Sequence, residues 1–217
     1  MILRNKLRSK LYFTALEKFQ ISLVHGDITT SSCEAIINCN NLSLSGSQQQ
    51  KAYWQFAGRS NVDSAIHQKA GPELQIACDK FNFKRGTIKC EVGDVMSTKA
   101  YKLDSQYIIH AVGPRYNSLP EVNAASKLLE TCYVNCFKEA DNLKVASIAV
   151  PAISCGINEV PPYISSAAFV DAVVRYLSSR SSSSRLMKIE CYMFESKTFQ
   201  AWDKSLTESS SFSCSMI

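Results

Sequence analysis

The chain has 217 residues, 46% of them hydrophobic and 20% charged, which allows a packed core and excludes a wholly disordered or collagen-like chain. No run reaches the roughly 18 apolar residues of a membrane-spanning helix. The net charge is +5, but Arg4, Lys6, Arg8, Lys10 and Lys18 against Glu17 place most of it in residues 1–20, which argues against a nucleic-acid-binding body.

In chain order, Leu3, Leu7, Leu11, Ala15 and Phe19 recur every fourth position, which predicts a basic amphipathic helix over the first 20 residues. Such a segment is either a targeting element, mitochondrial by its composition, or a helix packed on the domain. From residue 21 to 206 short apolar runs alternate with helical periods. Ile21–His25, Glu34–Cys39, Thr87–Val92, Tyr107–Val112, Ala146–Val150 and Lys188–Phe194 are predicted strands. Val62–Lys80, broken at Gly71-Pro72, Glu121–Asn142, Ile164–Ser178 and Thr198–Leu206 are predicted helices. The pattern predicts an α/β chain, a three-layer α/β/α sandwich on a mixed, largely parallel sheet. Residues 45–59 are polar and Gln-rich and read as a loop, as does the serine-rich 178–185. Residues 207–217 read as a disordered tail.

Nine cysteines form no C-x-x-C pair, and with His25, His67 and His110 they build no zinc-like spacing. No metal and no cofactor is expected. No signal peptide opens the chain, so reduced thiols in an intracellular compartment, cytoplasmic or nuclear, are expected. Walker and G-x-G-x-x-G loops are absent from the sequence.

The chemistry-bearing residues fall at predicted strand ends. They are Gly26-Asp27-Ile28-Thr29, Asn38-Cys39-Asn40-Asn41, Val62-Asp63 with Ala65-Ile66-His67, Gly93-Asp94, Ile108 to Pro114, and Ser154-Cys155-Gly156-Ile157. In this order they resemble the macrodomain family, of the MacroD type, from about residue 21 to 206. The resemblance implies a cleft for ADP-ribose, free or on mono-ADP-ribosylated proteins, and the monomeric state is expected. It implies Asp27 and Ile28 at adenine with Phe194, and Asn38 and Asn41 at ribose hydroxyls. It implies Ser154, Cys155, Gly156 and Ile157 around the diphosphate, and Asp63 with Asn41 in catalysis by an activated water. Without it, Asp27 reads as a turn residue and the asparagines as Asx turns. Asp63 alone reads as a first-turn acid favoured by the helix dipole, with Asn61 as N-cap. His67 and His110 read as structural.

Two loops depart from the family. Gly58-Arg59-Ser60-Asn61 replaces a run of glycines before Val62, after an insert that carries Tyr53, Trp54 and Phe56. Asn158 and Glu159 stand where the family has an aromatic and a glycine. Both departures fall on the distal-ribose half, so hydrolysis of mono-ADP-ribosylated protein is expected to be slow or absent. The alternative is a degenerate domain that serves as a protein-interaction module. The terminal Cys214-Ser215-Met216-Ile217 has the outline of a prenylation signal.

Overall fold

A computed structural model describes residues 9–14, 19–46, 61–116 and 122–215. One eight-stranded sheet forms its middle layer. The strands are β1 (Ser9–Thr14), β2 (Gln20–His25), β3 (Ala35–Cys39), β4 (Val95–Lys99), β5 (Tyr107–Ala111), β6 (Ser147–Pro151), β7 (Lys188–Met193) and β8 (Phe212–Ser215). Their spatial order is β4-β5-β3-β6-β7-β2-β1-β8. The five strands from β5 to β2 are parallel. β4, β1 and β8 add on antiparallel.

Strand alternation divides the side chains between two cores. On β3, Ala35 and Ile37 enter the larger core while Ile36 enters the smaller. On β5, Ile109 and Ala111 face the first and Ile108 the second. The larger core is closed by α3 (Val122–Asn142), α4 (Pro162–Ser179) and α5 (Ser196–Glu208). Edge-on aromatic pairs such as Tyr133–Phe169 and Phe137–Phe169 fill it. The smaller core lies under α1 (Val62–Ala70) and α2 (Pro72–Asp79), through Ile66, Ala70, Leu74 and Cys78. The result is the expected three-layer α/β/α sandwich.

α1 is capped by the Asn61 side chain, which accepts from Ser64 N at 2.7 Å. Gly71, at φ +91°, ends α1 and allows α2 to start at Pro72. This is the break expected at Gly71-Pro72.

Three expectations are corrected. Residues 9–14 are a strand, not part of a helix. Extension lets Tyr12 bury completely in the larger core and donate to Asp203 Oδ1 at 2.6 Å, with Lys10 on Asp203 Oδ2 at 2.7 Å. Those contacts with α5 override a faint helical period. The described part of the 207–217 tail is ordered likewise. α5 runs to Glu208, and β8 pairs with β1 from Phe212 opposite Thr14 to Ser215 opposite Leu11. Ser9–Thr14 and Phe212–Ser215 thus belong to the sheet of the 21–206 body. Thr87–Val92 is not a strand. It follows a tight turn with an Arg85–Ile88 bridge and ties to Leu42 O through the amides of Lys89 and Cys90. The strand there is β4, whose mostly half-buried residues carry little alternation.

Because Tyr12 joins β1 to α5, Tyr12→Ala should lower the unfolding free energy by about 3–5 kcal/mol. Urea denaturation measures the loss, and hydrogen exchange should rise at residues 212–215, whose strand pairs only with β1 among the described strands. Unchanged exchange there would show that β8 holds without β1.

Candidate active site

The carboxyl ends of the parallel strands open onto one edge of the sheet, where α/β folds hold ligands. Along that edge lie, in order, the loops after β5, β3, β6, β7 and β2. From β3 to β2 is three inter-strand steps, about 14 Å at normal strand spacing.

At the β2 end, Asp27 is exposed and caps a 3-10 turn, Ile28–Thr30, by accepting from Thr29 N at 2.9 Å. Lys69 Nζ of α1 donates to Thr29 O at 2.7 Å and pins that turn. The Ile28 side chain is buried in the smaller core. Phe194, just after β7, is 71% exposed. Its carbonyl lies 3.2 Å from His25 Nε2, and Gly26 N donates to Met193 O, so the β2 and β7 loops are joined.

The loop after β6 is wound tightly. Ser154 and Glu159 both adopt left-handed backbone, φ +65° and +58°. Cys155 N bonds Ala152 O, Glu159 N bonds Gly156 O, and Val160 N bonds Ser154 O. Among the described residues no backbone carbonyl accepts from the amides of Gly156 and Ile157. Gly156 has nothing within 4 Å of where a Cβ would stand, and Ile157 is half exposed. Ser154 is buried, its hydroxyl without a partner among the described residues. A side chain at Gly113 would collide with it, so this glycine allows the β5 and β6 loops to touch. Asn158 fastens them, donating to Gly113 O at 3.2 Å and accepting from Tyr116 N at 2.8 Å. Glu159 occupies a left-handed position that favours glycine, which gives the family's usual residue there a backbone reason. Burial pushes the Cys155 thiol up to about 12, so it is not a ready nucleophile.

At the β3 end, Asn41 is exposed. Its Oδ1 accepts from Ser43 N, Ser43 Oγ and Ser45 N, and its Nδ2 donates to Ser45 O at 2.6 Å. The Asx turn is realised. Asn38, expected at a ribose hydroxyl, instead lies fully buried, because even positions of β3 face the α1/α2 layer. Its Nδ2 donates to Asp63 Oδ1 at 2.8 Å. Its Oδ1 has no partner among the described residues. Asp63 is buried at the first turn of α1, and His67 Nε2 stands 3.4 Å from its Oδ1. Gly46 lets the chain lie against the His67 ring, since a Cβ there would be 2.6 Å from Nδ1. Gly58, Arg59 and Ser60, with Tyr53, Trp54 and Phe56 of the insert, lie outside the described residues.

Beneath these groups is a residue that sequence reasoning set aside. His110 is fully buried on β5, directly opposite Asn38 in the parallel register. Its Nδ1 lies 3.3 Å from Asn38 Nδ2 and 3.2 Å from Asn40 Nδ2. Its Nε2 lies 3.0 Å from Thr98 Oγ1 and 3.7 Å from Cys78 Sγ. Burial, and then His67, push its pKa down to about 3, so it is neutral at physiological pH. Burial also lowers His67, against the opposing pull of Asp63 and Asp79. Nothing in the linear sequence announces the Asn38–His110 pairing.

A macro domain family model matches residues 32–169. The chain belongs to the macrodomain family. It is similar to a protein named O-acetyl-ADP-ribose deacetylase from Enterobacter cloacae, 34% identical over 191 residues, 88% of this chain and 96% of that one. It is also similar to a protein named protein-ADP-ribose hydrolase from Staphylococcus aureus, 32% identical over 83% of this chain and 64% of the relative, so it spans less than two thirds of that protein. Among solved structures, the Oceanobacillus iheyensis macrodomain with ADP superposes with a TM-score of 0.78 at 27% identity, covering 93% of this macrodomain and 96% of the other. No described helix is long and apolar enough to cross a membrane.

The two lowered histidines set a pH dependence. An unfolded histidine binds its proton near pH 6.5, whereas folded His110 resists it down to about 3. The unfolded state therefore holds more protons in this window, and stability rises with pH across it. His110 alone contributes a slope approaching 1.4 kcal/mol per pH unit. Urea midpoints measured from pH 6.5 down to 5 should fall steadily, and His110→Gln should flatten the slope.

Proposed function

We propose that this macrodomain binds ADP-ribose, free or attached to protein, along the carboxyl edge of its sheet, and that it removes protein-linked mono-ADP-ribose slowly. The observation that carries the reading is the order of the strand-end loops. An exposed carboxylate and an exposed aromatic at β2 and β7, a loop after β6 whose Gly156 and Ile157 amides meet no backbone carbonyl among the described residues, and a buried Asp63 beside β3 follow one another over about 14 Å. That succession suits an adenine, a diphosphate and a distal ribose.

Asp27 accepts from the exocyclic amine of adenine, and the Phe194 ring offers its face. The amides of Gly156 and Ile157 hold phosphate oxygens as an anion nest. Asp63, oriented by Asn38, holds the water that attacks the anomeric carbon. Asn38 therefore works beneath the ligand. Ile28 supports the Asp27 turn from the core. The names of the Enterobacter and Staphylococcus relatives support the same ligand class and the same type of reaction. Cys33, Cys39, Cys78, Cys90, Cys132, Cys136, Cys155 and Cys191 are free thiols, which supports an intracellular location.

Two features support slow turnover. Asn41, which would orient the distal ribose, spends both ends of its amide on its own turn. Glu159 places a carboxylate on the loop that would hold two phosphates, which is unfavourable at short range. The same features favour the second reading, an interaction module that keeps only the adenosine half.

Calorimetry decides between them. Asp27→Ala removes a charge-assisted bond worth about 1.5–3 kcal/mol and should weaken ADP-ribose binding at least tenfold. AMP should bind the wild type more weakly than ADP-ribose. Equal affinity for the two would favour the interaction module, and an unchanged Kd in folded Asp27→Ala would overturn the pocket.

Release of ADP-ribose from an automodified transferase tests catalysis. Slow release is expected, abolished by Asp63→Ala and raised by Glu159→Gly. Fast wild-type turnover, lost in both Asp63→Ala and Asn41→Ala, would show that the altered loops do not limit the reaction.

A further inference from the structure

The Asn38–His110 pair admits one arrangement of hydrogens, and it reaches a residue far from the cleft. Asn38 turns its Nδ2 to Asp63 Oδ1 at 2.8 Å and donates there. That end of the amide is therefore the NH2 group. The same nitrogen lies 3.3 Å from His110 Nδ1, and an amide NH2 cannot accept. His110 Nδ1 is thus the lone-pair nitrogen.

Asn40 gives the same answer independently. Its Oδ1 accepts from Asn41 N at 2.7 Å, which leaves Nδ2 as the group 3.2 Å from His110 Nδ1. The proton of the neutral ring then sits on Nε2 and is donated to Thr98 Oγ1 at 3.0 Å. Asn38 keeps this orientation although its own Oδ1 is buried without a partner among the described residues. Turning the amide would set a carbonyl oxygen against a carboxylate and a ring lone pair.

We propose that Thr98 and His110 are positioning residues for Asp63, joined to it through Asn38 in one hydrogen-bond relay that runs from the edge strand β4 across β5 and β3 to α1. Thr98 fixes the ring proton on Nε2. The bare Nδ1 holds the amides of Asn38 and Asn40, and Asn38 aims Asp63. Through Asn40, whose Oδ1 holds the Asn41 amide, the same ring steadies the turn after β3. The relay deepens the proposed reaction and rests on it only for its effect on rate.

The geometry itself is tested without turnover. Nitrogen NMR of the His110 ring should show a protonated Nε2 and a bare Nδ1. Thr98→Val removes the nearer acceptor of Nε2, leaving only Cys78 Sγ at 3.7 Å among the described residues, and should move the ring toward the other tautomer, and Thr98→Ser should restore it. Asp63→Ala frees the Asn38 amide to turn and should shift the same ring signals. A wild-type ring protonated at Nδ1, or ring signals indifferent to both Thr98→Val and Asp63→Ala, would overturn the relay.

The kinetic arm reads positioning against mere packing. Thr98→Val should lower the rate of ADP-ribose release about tenfold, leave the Kd for ADP-ribose within twofold, and be rescued by Thr98→Ser. A parallel loss of binding and rate would assign Thr98 to packing alone and overturn its positioning role. If the wild type releases no ADP-ribose while the ring signals behave as described, the catalytic reading fails and the relay stands.

Discussion

The bond from the Asn38 amide to Asp63 ties strand β3 to helix α1 at a polar place in the smaller core. A buried carboxylate and a buried imidazole are both costly without partners. Here they share one amide, so neither group can shift without stranding another. Satisfying Asp63 fixes Asn38, and Asn38 lies opposite His110 only in the parallel register of β3 and β5. The network therefore specifies strand pairing as well as chemistry. A one-residue slip of β3 would turn Asn38 into the larger, apolar core.

Above that layer the cleft is a row of loops with unequal stiffness. The β2 turn is braced by Lys69 from α1, and the β7 loop by His25. The β6 loop is held in two left-handed non-glycine conformations, each a cost that surrounding bonds must offset. Asn158 supplies two of those bonds by fastening the loop to Gly113 and Tyr116. A residue where the family has an aromatic thus serves the loop itself. The β2 and β7 loops thus rest on supports separate from those of the β6 loop.

The two ends of the chain follow a different logic. Helical spacing at Leu3, Leu7 and Leu11 is real, yet tertiary contacts decide the described part of that segment. Tyr12 gains complete burial and the Asp203 carboxylate only when extended. β8 alternates Phe212 and Cys214 with Ser213 and Ser215, but four residues are too short a run to mark a strand alone, and it pairs along the edge that β1 offers. Strands that depend on a neighbouring edge carry little signal of their own, as β4 also illustrates.

The sequence by itself determined the layered α/β architecture, the helices of the body, the break at Gly71-Pro72 and the family, because each rests on local periodicity, turn residues or motif order. It also placed Asp27, Phe194 and the Ser154–Ile157 loop at strand ends, and Asp63 in the first turn of a helix. Which of the asparagines would face a ligand was left to the tertiary structure. Strand alternation buries Asn38, and the Ser43–Ser45 turn occupies Asn41. His110 was legible only as an apolar-strand histidine, since its partners Asn38, Asn40 and Thr98 come from other strands and a loop brought together by sheet register. A register is a relation between distant segments, and no local pattern in either one contains it.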